Sequence, residues 1–183
     1  MGQLGLEDSF IDIYSMEDVP RQIPSKSFSS DPNNVDSVIG EGKIVKIAAG
    51  RGRSAAVTSD GRVYLWGHRV SHMPKLVPLP PSVTAVDVAC GGNEIKNSGI
   101  LILTDTGNIW TMGFKGCQAL GIDSDENSPE INAARTSLGE SVGAVDHAIL
   151  PRVVVTPFHP QFKVNKVSFG LGGHAAALAV GRG

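Results

Sequence analysis

The sequence is poor in aromatic side chains, at 5% of its residues, and it holds only two cysteines. Cys90 and Cys117 form no CxxC pair. Neither a disulfide framework nor a zinc site is indicated, and a reduced intracellular setting, cytoplasmic or nuclear, is expected. No apolar run approaches membrane-spanning length, and the opening MGQLGLED has neither the basic start nor the hydrophobic stretch of a secretory signal. Leu6 stands where a myristoylation signal requires Ser or Thr. No membrane attachment is expected. Lysine and arginine number 16 against 18 acidic residues, for a net charge of -2, and they gather on no single segment. That removes the electrostatic footprint of a direct nucleic-acid binder.

Glycine, at 22 of 183 residues, and proline, at 11, are what the chain has in plenty. They point to many short elements joined by tight turns rather than to long helices. The apolar share of 41% and the charged share of 19% are those of a globular chain that can bury a core. An all-β class follows.

Three related segments run through the sequence: KIVKIAAGRGRSAAVTSDGRVYLWG at 43–67, VTAVDVACGGNEIKNSGILILTDTGNIWTMG at 83–113, and KVNKVSFGLGGHAAALAVGRG at 163–183. In each, an alternating run ends on a glycine (Gly50, Gly91, Gly170) and is followed by a loop and a small-residue apolar run. The first two copies continue through Asp60-Gly61 or Thr106-Gly107 into a tryptophan run ending at Gly67 or Gly113. An Asp-Gly or Thr-Gly between alternating runs is hairpin chemistry, with a positive φ expected at Gly61. Trp66 is expected to fill space between neighbouring sheets. The interval from Gly91 to Gly170 is nearly twice that from Gly50 to Gly91, so the second copy holds an insertion near 123–151. The middle of that stretch suits one short helix and its edges read as loop.

These residues closely resemble the repeat of the regulator of chromosome condensation family. Its units run glycine, His-Ser or an equivalent, a threonine-rich strand, Asp-Gly, then Trp-Gly. GQLGLED at 2–8 and GCQALGIDSD at 116–125 are similar to the segment that follows Trp-Gly in that family. His174 sits at the loop-histidine position and Arg53 at its counterpart in the first copy. Met112 departs from the pattern before Gly113, with Trp110 two places earlier on the same strand face. The resemblance implies an incomplete β-propeller of about three four-stranded antiparallel blades, cut from a seven-bladed ring. The expected divisions are a partial repeat and linker at 1–40, a first repeat at 41–82, a second with its insertion at 83–162, and a truncated third at 163–183.

By the same resemblance the chain is expected to bind other proteins through propeller loops. Arg51, Arg53, Asp123 and Asp125 are the candidate contacts, and His174 is expected to brace its blade. Guanine-nucleotide exchange on a Ran-type small GTPase is the alternative that the founding members imply. An open arc also leads us to expect self-association, or completion of the ring by remaining blades.

Motifs with catalytic or ligand chemistry fare poorly. GESVG at 139–143 fits a nucleophile elbow at Ser141, with His147, His159 or His174 as bases, yet the strand and oxyanion segment such an elbow needs are missing from the sequence. Asp123, Asp125 and Asn127 begin like a calcium loop, but Ser128 and Ala134 occupy the glycine and glutamate positions. GEGK at 40–43 lacks the leading glycine and the Ser or Thr of a phosphate loop. His68 and His72 are expected in a loop before Pro74, PKLVPLPPSV at 74–83 as a stiff connection, and 24–37 as a linker. No cofactor is expected.

Overall fold

The two tryptophan hairpins form the middle of two four-stranded antiparallel sheets. The computed structural model describes residues 4–5, 21–28, 42–67, 70–92, 99–114, 147–153, 162–170 and 176–182. The first sheet runs in the order β1 (Ile44–Gly50), β2 (Arg53–Thr58), β3 (Val63–Gly67), β4 (Ser71–Leu76). The second repeats that order with β5 (Ala85–Gly91), β6 (Gly99–Thr104), β7 (Ile109–Phe114) and β8 (His147–Val153). A third sheet pairs β9 (Phe162–Phe169) with β10 (Ala176–Arg182). The all-β class and the fourfold strand plan are as expected from the repeat.

Both full sheets share one register. Gly50 pairs with Arg53 and Arg53 with Gly67, just as Gly91 pairs with Gly99 and Gly99 with Gly113. Each first strand carries a bulge near its start, between Ile44 and Lys46 in β1 and between Ala85 and Asp87 in β5. The repeat in sequence is therefore a repeat in backbone geometry.

The sheets stack face to face, and alternation along each strand divides its side chains between two interfaces. We call the face toward the preceding sheet leading and the opposite face trailing. Ala55, Val57, Val63 and Leu65 on the trailing face of the first sheet meet Ala85, Val88, Cys90, Ile100, Ile102 and Met112 on the leading face of the second. Leu101, Leu103 and Ile109 on the trailing face of the second sheet meet Val164, Val167 and Phe169 of β9. Strand β6, GILILT, is buried at every position because both of its faces are covered. A strand so placed reads as one apolar run without alternation.

Two stretches differ from the sequence expectation. His72, expected in a loop, and Pro74, expected to open a stiff connection, belong to strand β4, and residues 147–151, expected as the edge of a loop, open strand β8 with Pro151 inside it. Both are the last strand of their sheet. An edge strand has backbone groups facing away from the ladder, so a residue without an N–H costs it nothing there.

Trp66 faces away from the second sheet. It lies on the leading face of the first sheet, in a cluster with Ala56, Tyr64, Ile23, Phe28 and Leu76. Phe28 ends a short 3-10 helix (Ser25–Phe28) and meets the rings of Tyr64 and Trp66 edge-on, at centroid distances of 5.3 and 6.1 Å. The Tyr64 hydroxyl donates to the Phe28 carbonyl. Gly5, with φ of 71°, lies so close to Ile23 and the Trp66 indole nitrogen that a β-carbon there would stand 2.9 to 3.0 Å from them. The space between the first two sheets is filled instead by Trp110 and Met112, the register counterparts of Tyr64 and Trp66.

Candidate protein-contact surface

The stacked faces consume most of the apolar side chains of the strands, and the turns at the strand ends carry exposed polar chemistry. The tip joining β2 to β3 is Thr58-Ser59-Asp60-Gly61-Arg62. Its backbone closes through Gly61 N–H to the Thr58 carbonyl at 2.9 Å and Thr58 N–H to the Arg62 carbonyl at 3.0 Å. Gly61 has φ of 80°, the left-handed geometry that such a turn requires.

Side chains then lock the tip. The Thr58 hydroxyl donates to the Asp60 carboxylate and accepts the Arg62 N–H at 3.1 Å. The Arg62 guanidinium closes the loop on Asp60, donating from Nε at 2.8 Å and lying 2.6 Å away through its terminal nitrogen. Partial burial works to raise the Asp60 carboxyl. The bonds from Arg62 and Thr58, with the charge of Arg62, outweigh it and hold the group below the usual carboxylate range. The bond to Asp60 pushes the Arg62 guanidinium above its ordinary value.

The tip joining β6 to β7, Thr104-Asp105-Thr106-Gly107-Asn108, is built on the same frame with different chemistry. Gly107 has φ of 84° and donates to the Thr104 carbonyl at 2.9 Å. The Thr104 hydroxyl accepts the Asn108 N–H at 3.0 Å and meets the Thr106 hydroxyl at 2.8 Å, while the Asn108 amide donates to Thr106 at 3.2 Å. Where one tip holds an ion pair, the next holds a hydroxyl and amide triad with the exposed Asp105 beside it. The threonine that anchors both frames was not singled out from the sequence, although it recurs two residues before Asp60 and before Thr106.

The first tip is also docked to the second sheet, where Ala85 donates to the Gly61 carbonyl at 3.0 Å. Each tip is tied to the start of its own sheet as well, by Ser59 N–H to the Lys43 carbonyl at 2.8 Å and Asp105 N–H to the Thr84 carbonyl at 3.0 Å. Gly61 sits against Thr84 with no room for a side chain.

At the other end of the strands, Arg51 is exposed on the β1–β2 turn, where Gly52 has φ of 83°. Arg53, expected as a partner contact, is 6% exposed and lies near Cys90 of the second sheet. A guanidinium so buried has little surface to offer a partner. Burial pushes the Cys90 thiol up to about 12, with Arg53 pulling in the opposite direction. Among the other sequence candidates, Gly50, Gly91 and Gly170 stand at the ends of the three first strands, and Gly67 and Gly113 end β3 and close the pairing of β7 with β6. Asp123, Asp125, Ser141, His68, His159, His174 and Cys117, the helix expected within the insertion and most of the 24–37 linker lie outside the described residues. Among the described residues no group of three His, Cys, Asp or Glu could hold a metal ion, and no helix is long and apolar enough to cross a membrane.

Comparison with known proteins bears on this surface. The family model described as the regulator of chromosome condensation (RCC1) repeat matches residues 44–68, which span β1 to β3. The regulator of chromosome condensation of Mus musculus is 33% identical over 78 residues, a match covering 39% of this chain and 18% of that protein. The E3 ubiquitin-protein ligase HERC2 of Homo sapiens is 34% identical over 93 residues, covering 45% of this chain and 2% of that protein. The chain thus spans a small part of the curated relatives it matches. Among solved structures, yeast RCC1 (Prp20) bound to Kap60 superposes with a TM-score of 0.50 at 20% identity, over 70% of this chain and 28% of that one. A second structure, Prp20p from Saccharomyces cerevisiae, described with its binding properties to Gsp1p and histones, gives 0.50 at 21%, over 70% and 29%. At these identities the likeness shows the fold, an arc of propeller blades.

Proposed function

We propose that this chain, which belongs to the regulator of chromosome condensation repeat family, is a protein-binding module that meets its partners with the turns at the ends of its sheets. One observation carries the reading: the tips at Asp60-Gly61 and Thr106-Gly107 share a backbone and threonine frame, yet one presents an Asp60–Arg62 ion pair and the other a hydroxyl and amide triad beside the exposed Asp105. A constant frame with variable tips is how stacked repeats create a broad, specific surface instead of a single pocket. Arg51, on the opposite turn, and the acidic Asp123 and Asp125 of the insertion extend the proposed contact set. An intracellular setting, nuclear or cytoplasmic, goes with the reading.

The partner we favour is a protein surface, and the yeast relative's described binding to Gsp1p and to histones supplies the first ones to try. Exchange on a Ran-type GTPase is the second reading. It rests on kinship with the founding members and on the size of the connection between β7 and β8, the largest available to reach a nucleotide site. A hydrolase built on Ser141 draws no support from the relatives.

The test is a binding measurement of the whole chain against a Ran-type GTPase and against histones, with nucleotide release followed in parallel. Binding that falls at least tenfold in a chain carrying Asp60→Lys and Asn108→Asp, with the unfolding temperature kept, supports the proposal. Binding indifferent to those changes contradicts it. Faster nucleotide release would move the reading to exchange, and binding without release would keep it with a scaffold.

A further inference from the structure

Asp60-Gly61 is the one Asp-Gly step in the sequence, and no Asn-Gly occurs. An aspartate before glycine is open to a self-inflicted reaction, because no side chain on the next residue shields its nitrogen. The Gly61 nitrogen attacks Cγ of Asp60, a new N–Cγ bond forms, and the carboxyl OH leaves with the amide proton as water. Water then opens the five-membered ring. Cleaving the N–Cγ bond restores aspartate. Cleaving the bond from the nitrogen to the Asp60 main-chain carbonyl carbon leaves the chain running through Cγ, as isoaspartate. The first step needs a protonated carboxyl, since a carboxylate has no OH to lose, and a Gly61 nitrogen free to turn toward Cγ.

The tip opposes both requirements. The Thr58 hydroxyl donates to one carboxylate oxygen of Asp60, and Arg62 holds the other through Nε at 2.8 Å and a terminal nitrogen at 2.6 Å. Gly42 lies against the same carboxylate so closely that a β-carbon on it would overlap the group. The Gly61 N–H is engaged by the Thr58 carbonyl at 2.9 Å, and the Gly61 carbonyl by Ala85 at 3.0 Å. Thr84 fills the space beside Gly61. Burial is not what shields the step, because the side chain of Asp60 is 39% exposed and water reaches it. The same contacts keep the carboxyl ionised to lower pH than usual, so it carries a proton less often.

We propose that Asp60-Gly61 is a latent isomerisation site, held closed by the grip of Thr58 and Arg62 on the Asp60 carboxylate. Isoaspartate would place one extra carbon in the main chain at a turn that is tied both to Thr58 and, through Ala85, to the second sheet. The second tip has Thr106 before Gly107 and carries no such site. This inference is independent of the partner-binding reading. A tip that isomerises freely would overturn it and leave that reading untouched.

The experiment counts isoaspartate at residue 60 by fragmentation mass spectrometry, after the whole chain has stood near pH 6, folded in buffer or unfolded in urea. The folded chain should convert slower than the unfolded one by about tenfold or more, the effect of one unit in the carboxyl pKa on its protonated fraction. Arg62→Ala and Thr58→Val should each speed conversion in the folded chain by about threefold or more, at a temperature where both remain folded. Gly50→Ala, which loosens the fold away from the tip, should leave the slow rate unchanged. A folded chain that converts as fast as the unfolded one overturns the proposal. So do clamp variants that stay as slow as the unaltered chain, or a Gly50→Ala chain that speeds up as much as they do, which would assign the protection to global stability.

Discussion

Phe169 packs against Gly91 so closely that a β-carbon on residue 91 would overlap the Cδ1 and Cγ atoms of the ring. One sheet earlier the same relationship recurs with more room, where a β-carbon on Gly50 would stand 3.3 Å from Cβ of Cys90 and 3.1 Å from the Gly91 nitrogen. The glycines that end the first strands are thus seats for the next sheet. Their repetition in sequence records the repetition of an interface.

Gly91→Ala should destabilise the chain by about 1–3 kcal/mol through overpacking. Gly50→Ala should cost less, because its neighbours need to give by only a few tenths of an ångström. Thermal unfolding of both, together with Phe169→Leu and the Gly91→Ala/Phe169→Leu pair, checks this. The pair should lose less than the two single changes added together, by about 0.5 kcal/mol or more, since the smaller side chain relieves the overlap. Strict additivity would show that residues 91 and 169 do not touch.

Cys90 should be inert in the folded chain. With its thiol pushed up to about 12 by burial, the reactive thiolate at pH 8 is about one part in 10⁴ of the population. In a Cys117→Ser background, a disulfide reagent should leave the native chain unmodified over minutes and label one thiol at once after unfolding. Rapid labelling of the folded chain would mean that the first two sheets are not packed together.

The Asp60–Arg62 pair should give the stability a small pH dependence. The Asp60 carboxyl is held below its ordinary value, so its charge contributes fully above the ordinary carboxylate range near pH 4 and is lost as the pH falls through the lowered value. Asp60→Asn keeps an oxygen for Thr58 and removes the charge. It should lower stability at pH 7 by about 0.2–1 kcal/mol, the range for exposed pairs, and by nothing measurable near pH 2. Chemical denaturation of both chains at the two pH values decides. A deficit that persists at pH 2 would assign the effect to shape rather than charge.

Much of this fold is legible in the sequence because the devices that build it are local. Gly61 and Gly107 sit between alternating runs in a turn that only left-handed residues complete; Gly61 has the positive φ expected, and Gly107 has one as well. What escaped reading depends on neighbours. Pro74 and Pro151 look like terminators along the chain, yet both lie in last strands, where the missing N–H has no ladder partner to lose. Arg53, beside the exposed Arg51 in a turn, looks like a surface residue, and it is the arrival of β5 that buries it. Ile47 and Val88 are alike in pattern and opposite in exposure, since burial belongs to whatever sheet lies across from a strand and not to the strand itself. The contact tips were found through their glycines. Their threonine anchors were missed because a threonine in a β-run is ordinary until the hydrogen bonds show what it holds.

The account depends most on successive repeats stacking as sheets through their first strands. Nuclear Overhauser contacts between the Phe169 ring and the α-protons of Gly91, with a ring-current shift on those protons, measure this directly. The stacked arrangement predicts strong contacts and shifted glycine signals. Gly91 protons at ordinary positions, with no contact to any aromatic ring, would contradict it.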